Sequence, residues 1–162
     1  MSKITPFLWF ETQAEEAAKF YVSIFKNSKI IATTYMDEES SKASGMPVGS
    51  VWVVEFELAG QKFYSLNSNT YSKFNPSVSF AVDVEDQAEL DYYWDRLSAV
   101  PEAEACGWLC DKFGLSWQIV PSMFIEMLKD PDKTKVGRLT AVLTEMKKID
   151  IAAVRAAFEH SS

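Results

Sequence analysis

Apolar residues recur along this chain at two spacings, every second position and every third or fourth, and the succession of spacings occurs twice. The segment KITPFLWFE gathers Ile4, Phe7, Leu8, Trp9 and Phe10 with little polar alternation, the pattern of a strand buried on both faces. Thr12 follows in the position of a helix cap, with Glu15 three residues on as its capping-box partner. Ala17, Phe20, Tyr21, Ile24 and Phe25 then share one helical stripe, which Asn27 and Ser28 end. SKIIATTYM reads as a second strand and DEESSKASGMPVG as a polar, flexible loop. VWVVEFELAGQKFYSLN reads as a hairpin turning at Ala59 and Gly60.

After SNTYSKFNP the order begins again. PSVSFAVDV alternates with period two through Val78, Phe80, Val82 and Val84, and Asp86 and Glu89 form a second capping box. Leu90, Tyr93, Trp94 and Leu97 make the next helical stripe. The connection AVPEAEA leads to two strands, CGWLCDK and LSWQIVP, separated by Phe113 and Gly114. Residues 12–15 (TQAE) and 86–89 (DQAE) are the same helix start after the same kind of strand, so two β-α-β-β-β units are expected at 3–68 and 76–121. From Ser122 the pattern turns helical: a short helix to Lys129, a second opened by Pro131 with Val136, Leu139, Val142, Leu143 and Met146 on its stripe, and a last one capped by Asp150 that carries Ile151, Val154 and Phe158. The expectation is an α+β fold, one domain over 1–162 with a helical tail at 122–160.

Composition narrows the function. The 162 residues, 48% hydrophobic and 24% charged, suit a globular domain that buries roughly 70% of its unfolded surface. Sixteen basic against twenty-three acidic side chains give a formal charge of -7, which argues against a nucleic-acid partner. The acidity belongs to the repeated part; after Ile125 the balance is seven basic to six acidic, which suits a packing or dimer element. No apolar run approaches the roughly 20 residues that span a bilayer. The opening MSKITPFLWFETQAEE turns acidic too early for a signal peptide, so the expected location is cytoplasmic, with no membrane partner. The single histidine, His160, stands near the C-terminus, which removes His-rich metal cages and most nucleophile-histidine mechanisms. Cys106 and Cys110, about 13 Å apart if CGWLC is extended, are read as two thiols rather than a disulfide.

The repeat resembles the vicinal oxygen chelate superfamily (glyoxalase I, bleomycin-resistance proteins, extradiol dioxygenases). Within it the chain is similar to the PhnB-like family, often labelled 3-demethylubiquinone-9 3-methyltransferase. The residues that carry the resemblance are ITPFLWF from Ile4, AAKFY from Ala17, VEFELAGQKF from Val54, FNPSVSF from Phe74, EDQAE from Glu85, CGWLCDKFGLSWQIVP from Cys106 and MKKIDIA from Met146. Ser68 and Asn69 stand where that family usually has two glycines, and Cys110 where it usually has a basic residue. The resemblance implies two curved half-sheets forming a cup, and in metal-using relatives four side chains that hold a divalent ion. Those positions fall on Pro6, Tyr64, Ser79 and Gln118, a set too weak to offset the dehydration of Mn²⁺, Fe²⁺, Ni²⁺ or Zn²⁺. No metal and no cofactor are therefore expected. The methyltransferase label lacks its chemistry as well, since the six glycines form no glycine-rich turn for S-adenosylmethionine.

The ligand-binding candidates are Tyr64, Asn67, Ser79, Gln118, Trp52 and Trp108. If Trp117 and Ile119 pack on a helix, alternation sends Ser116, Gln118 and Val120 to the other face, where an amide can orient a ligand. Tyr64 could donate a hydrogen bond or act as an acid, although no cationic neighbour is evident. Trp52 and Trp108 could stack on a flat ligand; Glu55 and Glu57 read as a solvated face. The function expected is metal-independent binding of a small molecule in the cup by a homodimer. A glyoxalase-type isomerase, lyase or dioxygenase using a divalent metal is the alternative, and a methyltransferase-related role follows from the label alone.

Overall fold

The structure, a computed structural model, describes residues 3–159, so His160 lies outside the described residues. The chain divides into two compact units with the boundary between Lys73 and Phe74.

In the first unit the strands β1 (Phe7–Phe10), β2 (Lys29–Tyr35), β3 (Val51–Leu58) and β4 (Gln61–Asn67) form one sheet in the order β1-β4-β3-β2. β1 runs parallel to β4, and the other pairs are antiparallel. Side chains alternate across a strand, so Leu8, Phe10, Val54, Phe56, Leu58 and Phe63 share the face that helix α1 (Ala14–Ile24) covers, and all are buried. Ala14, Ala17 and Ala18 are small enough for the helix to lie close, and Tyr21 fills the space against Phe56 with ring centroids 6.5 Å apart.

Three local expectations are corrected here. Thr12 does not cap α1: Gln13 occupies the cap position without a side-chain bond, and the first helical amide, that of Ala14, is taken by Asn67 Oδ1 at 2.8 Å. The segment expected to be a flexible loop contains helix α2 (Glu38–Ser44). Asp37 and Ser40 form its capping box, and Gly45 closes it in the left-handed region at φ 73°. The strands β3 and β4 turn, as expected, at Ala59 and Gly60, with φ of 47° and 85°, the two-residue turn that matches strand twist.

The second unit repeats the plan with a shorter sheet, β5 (Ser79–Val84), β7 (Ser116–Pro121) and β6 (Trp108–Cys110) in the order β5-β7-β6. β5 is parallel to β7, as β1 is to β4. Helix α3 (Gln87–Leu97) covers one face with Leu90, Tyr93, Trp94 and Leu97, all buried as the periodicity predicts. Asp86 caps it through the Glu89 amide at 2.8 Å, whereas the Glu89 carboxylate reaches back to the Glu85 amide rather than to that of Asp86. The counterpart of β2 is the third correction. Pro101 lacks an N–H for a ladder and opens a 3-10 turn at Pro101–Ala103. What remains of that strand is the Ala99 amide on Cys110 O at 2.9 Å and a bridge between Ala105 and Trp108. Three helices follow, α4 (Ser122–Leu128), α5 (Lys133–Thr144) and α6 (Ile151–Glu159), near where the pattern put them, although Asp132 rather than Pro131 opens α5 and Met146 lies beyond its end. Arg138 of α5 donates to the carbonyls of Ala157 and Phe158 at the end of α6, at 2.9 and 3.2 Å, where a cation also complements the helix dipole.

Candidate functional site

Each sheet has a helix on one face, so the face that can meet a ligand is the other one. In the second unit Trp117 and Ile119 are buried beneath the helix, and alternation sends Gln118 and Val120 to the opposite side, as the sequence predicts. Trp108 stands directly across from Gln118 in the β6–β7 ladder, and Ala81 across from it in the β5–β7 ladder. Ser79, two residues before Ala81, shares that face, and its hydroxyl accepts from Gln118 Nε2 at 2.8 Å. Ser79, Trp108 and Gln118 are thus brought together, each half-buried. The bond to Ser79 fixes the Gln118 amide, whose carbonyl has no protein partner among the described residues.

In the first unit the equivalent face carries Tyr64. Phe7 is its partner across the β1–β4 ladder, and the two rings stack with centroids 4.8 Å apart and planes 19° from parallel. Phe7 is 51% exposed and Trp9, two residues along, 44% exposed, so a wall of aromatic surface faces outward. Glu55 stands opposite Tyr64 in the β3–β4 ladder and is ion-paired with Lys62 at 2.5 Å. The carboxylate of Glu55 holds the Lys62 ammonium above its usual range, first by that hydrogen bond and then by charge. Lys62, two residues before Tyr64 in β4 and on the same face, is the cationic group beside it that the sequence reading missed.

One candidate leaves the site. Asn67 lies on the helix-covered face, where Oδ1 accepts from Ala14 N–H at 2.8 Å and Nδ2 donates to Val51 O at 3.0 Å. Both ends of its amide serve the fold. Trp52 sits at a bulge of β3, where Thr34 pairs with Val53 and Tyr35 with Val51, so strand alternation does not assign its face; its side chain is 41% exposed. Pro6 is displaced by one residue from the position assigned to it. It has the parity of Leu8 and Phe10, and Phe7 is the residue opposite Tyr64, just as Ala81 is opposite Gln118.

One important residue was not singled out. Asp111, 1% exposed, accepts from the amides of Phe113 and Leu115 at 2.8 and 3.0 Å and from Trp117 Nε1 at 2.8 Å. It ties the β6–β7 turn to the indole beneath Gln118. The signal was present: an acid six residues before a tryptophan, within the most specific run of the chain.

The donor set fits neither group that the resemblance brings to mind. On these faces Phe7 and Ala81 have no side-chain donor atom and Tyr64, Ser79 and Gln118 offer only neutral oxygens, where divalent transition ions favour imidazole and carboxylate; of the carboxylates there, Glu55 is ion-paired with Lys62 and Asp83 stands alone on β5, four residues from Ser79. Among the described residues no three His, Cys, Asp or Glu side chains stand close enough to hold an ion. Cys106 and Cys110 are free thiols, both half-buried, and burial pushes the Cys110 thiol up. The turn after β1 reads Glu11-Thr12-Gln13, without the glycines that admit a nucleoside's backbone contacts, in a sheet with one parallel pair. No helix among the described residues is long and apolar enough to cross a membrane.

Comparison with known proteins agrees with this architecture. The profile of a family described as 3-demethylubiquinone-9 3-methyltransferase matches residues 2–120. Among solved structures, the PhnB protein of Bacillus cereus is 34% identical, with a TM-score of 0.62 over 75% of this chain and 100% of its own. A Pseudomonas aeruginosa protein (18% identity, TM-score 0.55, 75% of this chain and 98% of its own) shares the fold. So does the fosfomycin resistance protein FosX of Listeria monocytogenes (15%, TM-score 0.54, 80% and 98%). No curated protein matches the chain.

Proposed function

The chain belongs to the 3-demethylubiquinone-9 3-methyltransferase (PhnB-like) family of the vicinal oxygen chelate superfamily, and we propose that it binds a small molecule without a metal ion. The observation that carries this reading is the Gln118 amide, held by Ser79 and flanked by Trp108, on the sheet face opposite α3. A buried or half-buried amide with unspent hydrogen-bonding capacity orients a polar edge, and an indole beside it accepts a flat apolar body. The Phe7–Tyr64 stack and Trp9 supply the same kind of surface on the first unit. The ligand class supported is a small planar compound with a hydrogen-bonding edge, and the homodimeric state and cytoplasmic location expected from the sequence accompany the reading.

A thermal-shift screen of small aromatic, quinone and phosphonate compounds in the presence of EDTA tests it. A ligand stabilises the folded state in proportion to its occupancy, so a hit raises the melting temperature. Gln118→Ala is expected to weaken that hit by about tenfold, the worth of one well-oriented hydrogen bond. Equal affinity in the variant, or hits that vanish with EDTA, would remove this reading.

A further inference from the structure

The family profile ends at residue 120, yet the tail makes specific bonds with the second unit well before the last helix. The turn that joins Ala105 to Trp108 has positive φ at both central residues, 52° at Cys106 and 85° at Gly107. In such a turn the two central amides point out of the hairpin and need acceptors elsewhere. They find them in consecutive tail carbonyls: Cys106 N–H donates to Met146 O and Gly107 N–H to Lys147 O, each at 2.8 Å. Ile149, 2% exposed, packs onto the same glycine so closely that a Cβ at position 107 would lie 2.8 Å from its Cδ1. A glycine is thus required twice over, for its φ and for this contact.

The tail segment is in turn fastened to α3. Gln87 Nε2 donates to Ile149 O at 3.1 Å while Gln87 Oε1 accepts from Ile151 N–H at 2.9 Å, so one side-chain amide pairs with the backbone as a strand would. The two lysines splay to either side. Lys148 pairs with Asp91 and Asp95 of α3 at 3.0 and 3.4 Å, and Lys147 donates to Pro101 O at 3.2 Å. Gln13, the counterpart of Gln87 in the first unit, makes no side-chain cap bond. An open cleft of about 570 Å³ borders the latch, between Gln87, Asp91, Ile151 and Arg155, so its bonds are reachable from solvent.

We infer that Met146–Ile149 is a strap, latched by Gln87, that fixes the Cys106–Gly107 turn and with it the register of β6 against β7. Gly107 is the pivot: its amide is held by the strap, and its carbonyl accepts from Ile119 N–H at 2.8 Å, one residue beyond Gln118. The strap is therefore a positioning element for the Trp108–Gln118 pair, and it stands whether or not that pair holds a ligand.

Amide hydrogen exchange of the full chain, wild type against Gln87→Leu and Ile149→Ala, tests the latch. In both variants exchange at Cys106 and Gly107 is expected to quicken at least tenfold, with the Trp108 indole resonance shifted, while the amides of β5 and of the first unit keep their protection. Unchanged protection at Cys106 and Gly107 in both variants would overturn the inference. So would a uniform quickening across the whole second unit, which would make Gln87 a contributor to global stability and nothing more.

Discussion

Asn67, at the end of β4, supplies through its side-chain oxygen the acceptor that the first amide of α1 needs, 53 positions earlier in the chain, at Ala14. This bond replaces a local cap by a tertiary one, and it locks the helix to the strand that runs parallel to β1. Asn67→Ala leaves the Ala14 N–H and the Val51 carbonyl without partners in a buried place, at a cost of about 2–4 kcal/mol. Thr12→Ala, which removes the residue that the local pattern marks as the cap, changes stability by less than about 0.5 kcal/mol. Urea denaturation of the two variants separates the long-range cap from the local one.

Asp111 is the corresponding fastener of the second unit. Its carboxylate accepts from two backbone amides and from the Trp117 indole, so Asp111→Ala strands three donors in the β6–β7 turn. The expected loss is about 3 kcal/mol or more, and the near-ultraviolet circular dichroism of the tryptophans should change with it. Asp111→Asn, which keeps the shape and one acceptor oxygen, is expected to lose less.

The Ala59–Gly60 turn offers a gain. Ala59 holds φ 47°, a region costly for a residue with a Cβ and tolerated best by glycine and asparagine. Ala59→Asn or Ala59→Gly is expected to stabilise the first unit by about 0.5–1 kcal/mol, read as a higher urea midpoint with an unchanged slope.

The ion pair that flanks the strap sets a pH dependence. Hydrogen bonds from Gln87 and then Lys148 hold the Asp91 carboxyl below its usual range, and Asp91 in return holds the Lys148 ammonium above its own. A carboxyl lowered on folding contributes stability above its unfolded pKa and loses it as the pH falls through the folded value. A raised ammonium contributes below its unfolded pKa and loses it as the pH rises through the folded value. The stability difference between wild type and Lys148→Ala should therefore be flat across neutral pH and shrink at both extremes. A difference that grows toward either extreme would contradict the pairing.

The architecture was legible because it rests on periodicity. The two buried stripes, Ala17–Tyr21–Ile24 and Leu90–Tyr93–Trp94–Leu97, and the repeated helix start gave the two units and their order. Parity was less legible. In β1, where Phe7, Leu8, Trp9 and Phe10 are all apolar, nothing local says which residue faces the helix, and only the ladder Phe7↔Tyr64 decides it. At Trp52 the obstacle is different: a bulge interrupts the alternation of β3. Asn67, Asp111 and Gln87 act across 53, 6 and 64 positions at the furthest, and polar residues whose partners are backbone groups leave no periodic trace. The run of serine and glutamate in helix α2 carries no apolar stripe, so periodicity reads it as a loop; its capping box, Asp37 and Ser40, is the signal that marks the helix.

The donor chemistry of the uncovered faces is most directly tested by calorimetric titration of the untagged chain with Mn²⁺, Ni²⁺ and Zn²⁺, alongside metal analysis of the purified protein. No stoichiometric ion and no binding tighter than about 1 mM are predicted. One ion per chain, held at micromolar affinity or better and released by Gln118→Ala, would contradict a function without a metal.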